Sequence, residues 1–148
     1  RYHKKTDNRD LNPPTISKTT DTIIGDVRNI SFLIKPQRAV NKLELIANVP
    51  IVFNSIGVQD VFLDKKSQKD TFKVTRGKII SYFFVSKDSV LKVDFTINKS
   101  SIPDISLIES SFDLQTNPLF KIQPRTNEMM PMPFVTNDAV ITLQKLKL

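Results

Sequence analysis

The chain has no cysteine, no tryptophan and one histidine, and only three glycines and three alanines among its 148 residues. Without cysteine there is neither a disulfide framework nor a thiolate metal site, and redox chemistry does not indicate a compartment. The single histidine, His3, lies in a polar opening segment. A Ser-His-Asp set or a histidine zinc site would have to use it, and a terminal residue does not hold the geometry those chemistries need. The missing tryptophans, with only Tyr2 and Tyr82 as tyrosines, argue against a sugar-stacking face. Long apolar runs are also lacking. The longest mainly apolar stretch, Ile79 to Val85, is interrupted by Ser81 and falls far short of the roughly 20 residues that span a bilayer. No charged-then-apolar secretion signal opens the chain. Because it opens on Arg1 rather than Met, the expectation is a piece cut from a longer polypeptide.

What is present is a strand-forming set. Sixteen isoleucines, twelve valines, twelve threonines and ten phenylalanines dominate, and branched and aromatic side chains pack well on a pleat while crowding a helical turn. Hydrophobic residues make up 39% of the chain, enough for one globular domain with a core rather than a disordered segment. The formal charge is +7, which raises the question of nucleic acid or anionic membranes. Most of the basic residues alternate with acidic or apolar ones, as in Lys92-Val93-Asp94-Phe95, the pattern of a solvated sheet face. The densest basic run, Lys65, Lys66, Lys69, Lys73, Arg76 and Lys78, is offset by Asp64 and Asp70. Charge dispersed in this way predicts only weak, salt-screened attraction and no specific nucleic-acid partner.

Residues 1–14 are polar and close on Asn12-Pro13-Pro14, so they read as a linker or arm, with a β-sandwich domain over 15–148. Period-two alternation places Ile30, Phe32 and Ile34 on one face, and Leu43, Leu45, Ala47 and Val49 on one face of the next strand. The short turn Pro36-Gln37-Arg38 between them suggests neighbouring strands, and Pro50 ends the second strand or marks an edge or bulge. Further strands are predicted at Ile51 to Val58, Val61 to Leu63, Thr71 to Val74, Lys78 to Val85, Val90 to Ile97, Ile105 to Phe112 and Ala139 to Leu146. Ser86-Lys87-Asp88-Ser89 reads as a hairpin between two of them, and Asn98 to Pro103 as another break. The spacing indicates an all-β, antiparallel β-sandwich, immunoglobulin-like or jelly-roll-like, of about eight or nine strands.

Candidate ligating groups are few. Asp104, Glu109, Asp113 and Asp138 fall near predicted strand ends, where they either converge as an acid pair or calcium ligands or serve as turn and cap acceptors; their spacing fits no EF-hand loop. In the arm, Asp7-Asn8-Arg9-Asp10 imitates a calcium loop but contains an arginine and lacks the pivotal glycine. The sequons Asn29-Ile30-Ser31 and Asn98-Lys99-Ser100 are short matches, the first inside a predicted strand. No catalytic residue, cofactor site or metal site is assigned.

The segment from Glu109 to Asp138 is the most unusual. It holds four X-Pro steps, at Pro118, Pro124, Pro131 and Pro133, which remove four backbone donors and exclude a helix. Met129, Met130 and Met132, followed by Phe134, place adaptable apolar side chains on a stiff extended backbone. Two readings stay open. These residues fold over one end of the sandwich and plug its core, or they form an inter-domain contact.

Ser111-Phe112-Asp113-Leu114, Thr116-Asn117-Pro118, Met130-Pro131-Met132-Pro133-Phe134-Val135 and Asn137-Asp138 together resemble the C-terminal ending of bacterial membrane-associated di-zinc aminopeptidases, a group related to the endoplasmic-reticulum metallopeptidases. The resemblance covers about a fifth of the chain. It implies a non-catalytic accessory β domain that follows a zinc peptidase domain and several membrane spans, and packs against or orients the peptidase part. The implied partner is that parent peptidase domain, with the membrane surface reached through the parent, and the implied location is extracytoplasmic. Zinc belongs to the separate peptidase domain, because the family's metal-binding His, Asp and Glu positions have no counterpart here. The alternative is a stand-alone extracytoplasmic adhesion or ligand-binding sandwich.

Overall fold

The computed structural model describes residues 11–59, 61–62, 72–74, 76–83, 89–123, 125–129 and 137–148. Among them are ten strands and no helix: β1 (Thr15–Ile24), β2 (Val27–Lys35), β3 (Lys42–Ala47), β4 (Ile51–Val58), β5 (Val61–Phe62), β6 (Phe72–Val74), β7 (Gly77–Phe83), β8 (Leu91–Asn98), β9 (Ile105–Ser111) and β10 (Val140–Lys145). All pairs are antiparallel. One sheet runs β1-β2-β8-β4-β5, with β6 also paired to β4; the other runs β10-β9-β3-β7.

The two sheets form a β-sandwich. Taking β1, β2, β3, β4, β8, β9 and β10 as strands A to G reproduces the ABED and CFG sheets of the immunoglobulin arrangement, with β5, β6 and β7 inserted between D and E. This order corrects two local readings. β2 and β3 lie in different sheets, so the link through Pro36-Gln37-Arg38 crosses the sandwich instead of joining neighbours. β7 and β8 also lie in different sheets, so no hairpin joins them across the Ser86 to Ser89 region. A short loop is compatible with either connection, and the inward faces of the strands decide which is made.

Alternation explains the core. Ile30, Phe32 and Ile34 of β2 and Leu91, Val93, Phe95 and Ile97 of β8 are buried from one sheet, against Leu43, Leu45 and Ala47 of β3 and Ile105 and Leu107 of β9 from the other. Phe95 stands edge-on to both Phe32 and Phe53, with ring centroids 6.0 and 5.5 Å apart, a geometry that suits the ring quadrupoles. Val49 does not continue the β3 face: the strand ends at Ala47 and Val49 is exposed in the link to β4.

β1 is a strand that alternation does not reveal. It is an edge strand, largely exposed, with threonines, a lysine and an aspartate along TISKTTDTII. Its position is set by pairing with β2 and by Asp21, which accepts from Arg28 at 2.8 Å and from Lys18 at 2.8 Å. These hydrogen bonds hold the Asp21 carboxyl well below the usual carboxylate range and raise the Arg28 guanidinium. β1 and β2 are joined by the two-residue loop Gly25-Asp26, with Gly25 at φ +62° in the position where a tight hairpin favours glycine.

Candidate functional site

The described part of the connector from β9 to β10 includes Ser111 to Leu114, Thr116 to Pro118, Asn137 and Asp138 of the residues that carried the resemblance, while Met130 to Val135 lie outside the described residues. Where β9 ends, the Phe112 N–H donates to Asn41 Oδ1 at 2.8 Å, fixing the exit of the chain from the sheet. Asp113 then opens a turn: its carbonyl accepts from Thr116 N at 3.0 Å and Asn117 N at 2.7 Å, and its carboxylate from Asn117 Nδ2 at 2.8 Å. Asn117 repeats the device, accepting from Leu119 N at 3.1 Å through its side chain, as short polar side chains do beside a proline turn. The return is closed by Asp138, whose carbonyl accepts from Leu114 N at 3.0 Å and whose carboxylate meets Arg125 Nη2 at 2.5 Å. Asp138 sits at φ +47°, a left-handed conformation that aspartate tolerates. Thus Asp113-Leu114, Thr116-Asn117 and Asp138, distant in sequence, form one hydrogen-bonded base.

Several apolar side chains of the connector are exposed, while Leu114 and Phe120 are half-buried. Phe112, Leu119 and Ile122 are exposed, and Met129 is 61% exposed. Of the inter-domain contact candidates, Met129 is therefore on the surface, and Met130, Met132 and Phe134 lie outside the described residues.

The four carboxylates do not gather at one site: Asp113 and Asp138 share the connector base, and each carboxylate has its own hydrogen-bond or ion-pair partner. Asp104 accepts from Asn48 Nδ2 at 2.8 Å and pairs with Lys145 at 2.9 Å, bonds that lower its pKa. Asp113 and Asp138 shape the connector. Glu109 is 1% exposed and faces the core side of β9, between Leu43 of β3 and Thr142 of β10. Thr142 Oγ1 donates to its carboxylate at 3.1 Å, Arg38 Nε lies 3.8 Å from it, and the same guanidinium donates to Ser111 Oγ. Burial pushes the Glu109 carboxyl up, against the opposing pull of Arg38 and Thr142. No grouping of three or more His, Cys, Asp or Glu side chains suited to a metal occurs among the described residues.

Arg38 is the residue that sequence reasoning missed. It stands 71 positions before Glu109, and no local pattern joins them. His3, the Asp7 to Asp10 stretch and Lys65, Lys66 and Lys69 lie outside the described residues. Lys78 pairs with Glu44 at 2.6 Å on the outer sheet face, beside Lys42 at 2.9 Å. Burial pushes the Glu44 carboxyl up, but the two lysines outweigh it and its pKa falls. The sequon at Asn29 lies within β2, while Asn98 ends β8 in an exposed turn and accepts from Ser100 N at 3.0 Å.

A shallow groove of about 140 Å³ runs between Leu11 and Pro13 and the β10 residues Thr142, Leu143 and Gln144. That is below the roughly 300 Å³ at which drug-sized ligand pockets begin. No protein-family profile, curated protein or solved structure matches the chain.

Proposed function

We propose that this chain is a non-catalytic accessory β-sandwich of a membrane-bound zinc exopeptidase on the extracytoplasmic side, packing against or orienting the peptidase part. The observation that supports it is the described part of the connector, where Asp113, Leu114, Thr116, Asn117 and Asp138 of the segment that resembles the family's ending are joined by hydrogen bonds and Phe112, Leu119, Ile122 and Met129 are exposed. Four large apolar side chains exposed on one connector suit a surface covered by another domain. The chain itself has no catalytic role in this reading, and zinc resides in the peptidase domain. Two measurements test it. The polypeptide encoded upstream of Arg1 should contain a His/Asp/Glu zinc peptidase domain and several apolar spans, and a secretion signal or tandem β domains there would replace this reading with that of an adhesion module. In the full polypeptide, Leu119→Ser/Ile122→Ser/Met129→Ser should loosen association of the sandwich with the peptidase part, read as increased protease cleavage between them.

A further inference from the structure

The opposite end of the sandwich carries a second surface, which does not depend on the peptidase reading. There the β1–β2 turn, the β3–β4 link, the β8–β9 turn and the end of β10 meet. Lys99 N donates to the Asp26 carbonyl at 2.9 Å and Lys99 Nζ pairs with its carboxylate at 2.5 Å, joining the first turn to the third. Asn48 N donates to the Asp104 carbonyl at 2.9 Å, and Lys145 pairs with the Asp104 carboxylate, joining the second and fourth to the third.

Three of these elements carry exposed aliphatic side chains at or beside the turn, while at the end of β10 Leu146 is buried. Ile102 is 87% exposed, Ile24 71%, Ile23 60% and Val49 39%. Among the described residues the surrounding charge is basic on balance: Lys99 and Lys145 are paired with Asp26 and Asp104, and Lys147 and Arg76 are exposed without an acidic partner.

We infer that this end is a membrane-facing surface, with Ile23, Ile24, Val49 and Ile102 entering the headgroup–acyl boundary of an anionic bilayer while Arg76 and Lys147, the two basic side chains not paired with Asp26 or Asp104, meet lipid phosphates. Aliphatic prongs on separate turns suit a fluid interface that closes around each one, combined with electrostatic attraction to anionic lipid. A protein partner would instead favour a flat patch anchored by tryptophan or tyrosine, and the described residues of this end include neither.

The test is co-sedimentation of the 148-residue chain with vesicles of phosphatidylcholine alone and of phosphatidylcholine mixed with phosphatidylglycerol, at low and physiological salt. Binding to the mixed vesicles should persist at physiological salt, because apolar insertion is not screened. Ile24→Ser/Ile102→Ser should weaken it roughly fivefold or more. The melting temperature should not move, since both side chains are already in solvent. Arg76→Gln/Lys147→Gln should weaken binding to the mixed vesicles and leave the neutral ones unaffected. Absence of binding, binding indifferent to the isoleucine substitutions, or equal binding to neutral vesicles would overturn the inference. So would concentration-dependent self-association that the isoleucine substitutions abolish, which would assign the patch to a second copy of the chain.

Discussion

Arg38, from the loop that crosses between the sheets, lies against Glu109 on the core face of β9, with Nε 3.8 Å from the carboxylate. Glu109 occupies a register position where its strand neighbours Ile105 and Leu107 are apolar, so the pair stands at the boundary between core and connector. Arg38→Met should destabilise the domain by about 2 kcal/mol at neutral pH, because a buried carboxylate stripped of its cation either takes up a proton or stays unpaired. Adding Glu109→Gln should recover most of the loss. Urea unfolding measures both, and an Arg38→Met variant as stable as the parent chain would show that the pair does not contribute.

The same site sets a pH dependence. Since burial raises the Glu109 carboxyl, the folded state holds that proton more tightly than the unfolded chain does. This contribution is therefore fully present below the unfolded value and is lost as pH rises through the folded one. Glu109→Gln should flatten this part of the stability profile. An unchanged slope in Glu109→Gln would assign the dependence to another group.

Asp21 works in the opposite sense. Hydrogen bonds from Arg28 and Lys18 lower its pKa, so its contribution is present above the unfolded carboxylate value and lost as pH falls toward the folded one. The cluster is on the surface and screened by solvent, so Asp21→Asn should cost no more than about 1 kcal/mol at neutral pH, and less in high salt. A larger loss would mean that β1 depends on this cluster for its pairing.

Phe95 stands edge-on to both Phe32 and Phe53 within the buried core. Phe95→Ala should lose about 3–5 kcal/mol, and Phe95→Leu considerably less. Equal losses for the two would indicate that the site collapses around either side chain.

The connector separates two outcomes. Leu119→Ser, Ile122→Ser and Met129→Ser should each leave the melting temperature of the chain nearly unchanged, because the side chains are in solvent. Met130→Ser, Met132→Ser and Phe134→Ser should do the same if they continue that surface, and lose about 2–5 kcal/mol each if they plug the core. Thermal unfolding of the six variants decides between these readings.

Much of the fold was legible in the sequence because it follows from local rules. Excess branched and aromatic residues favour sheet, and period-two alternation in β2, β3 and β8 assigns their buried faces residue by residue. The turn chemistry at Asp113 and Asn117 is equally local. Tertiary structure decided the rest. Which strands pair depends on closing two sheets over one core, so β2 and β3 part company across a short loop and polar β1 is recruited as an edge by Arg28 and Asp21. The meeting of Arg38 with Glu109, and the gathering of Ile24, Val49 and Ile102 at one end, join residues tens of positions apart. No local pattern encodes those proximities, because the strand order that creates them is set by burial of the whole inner surface at once.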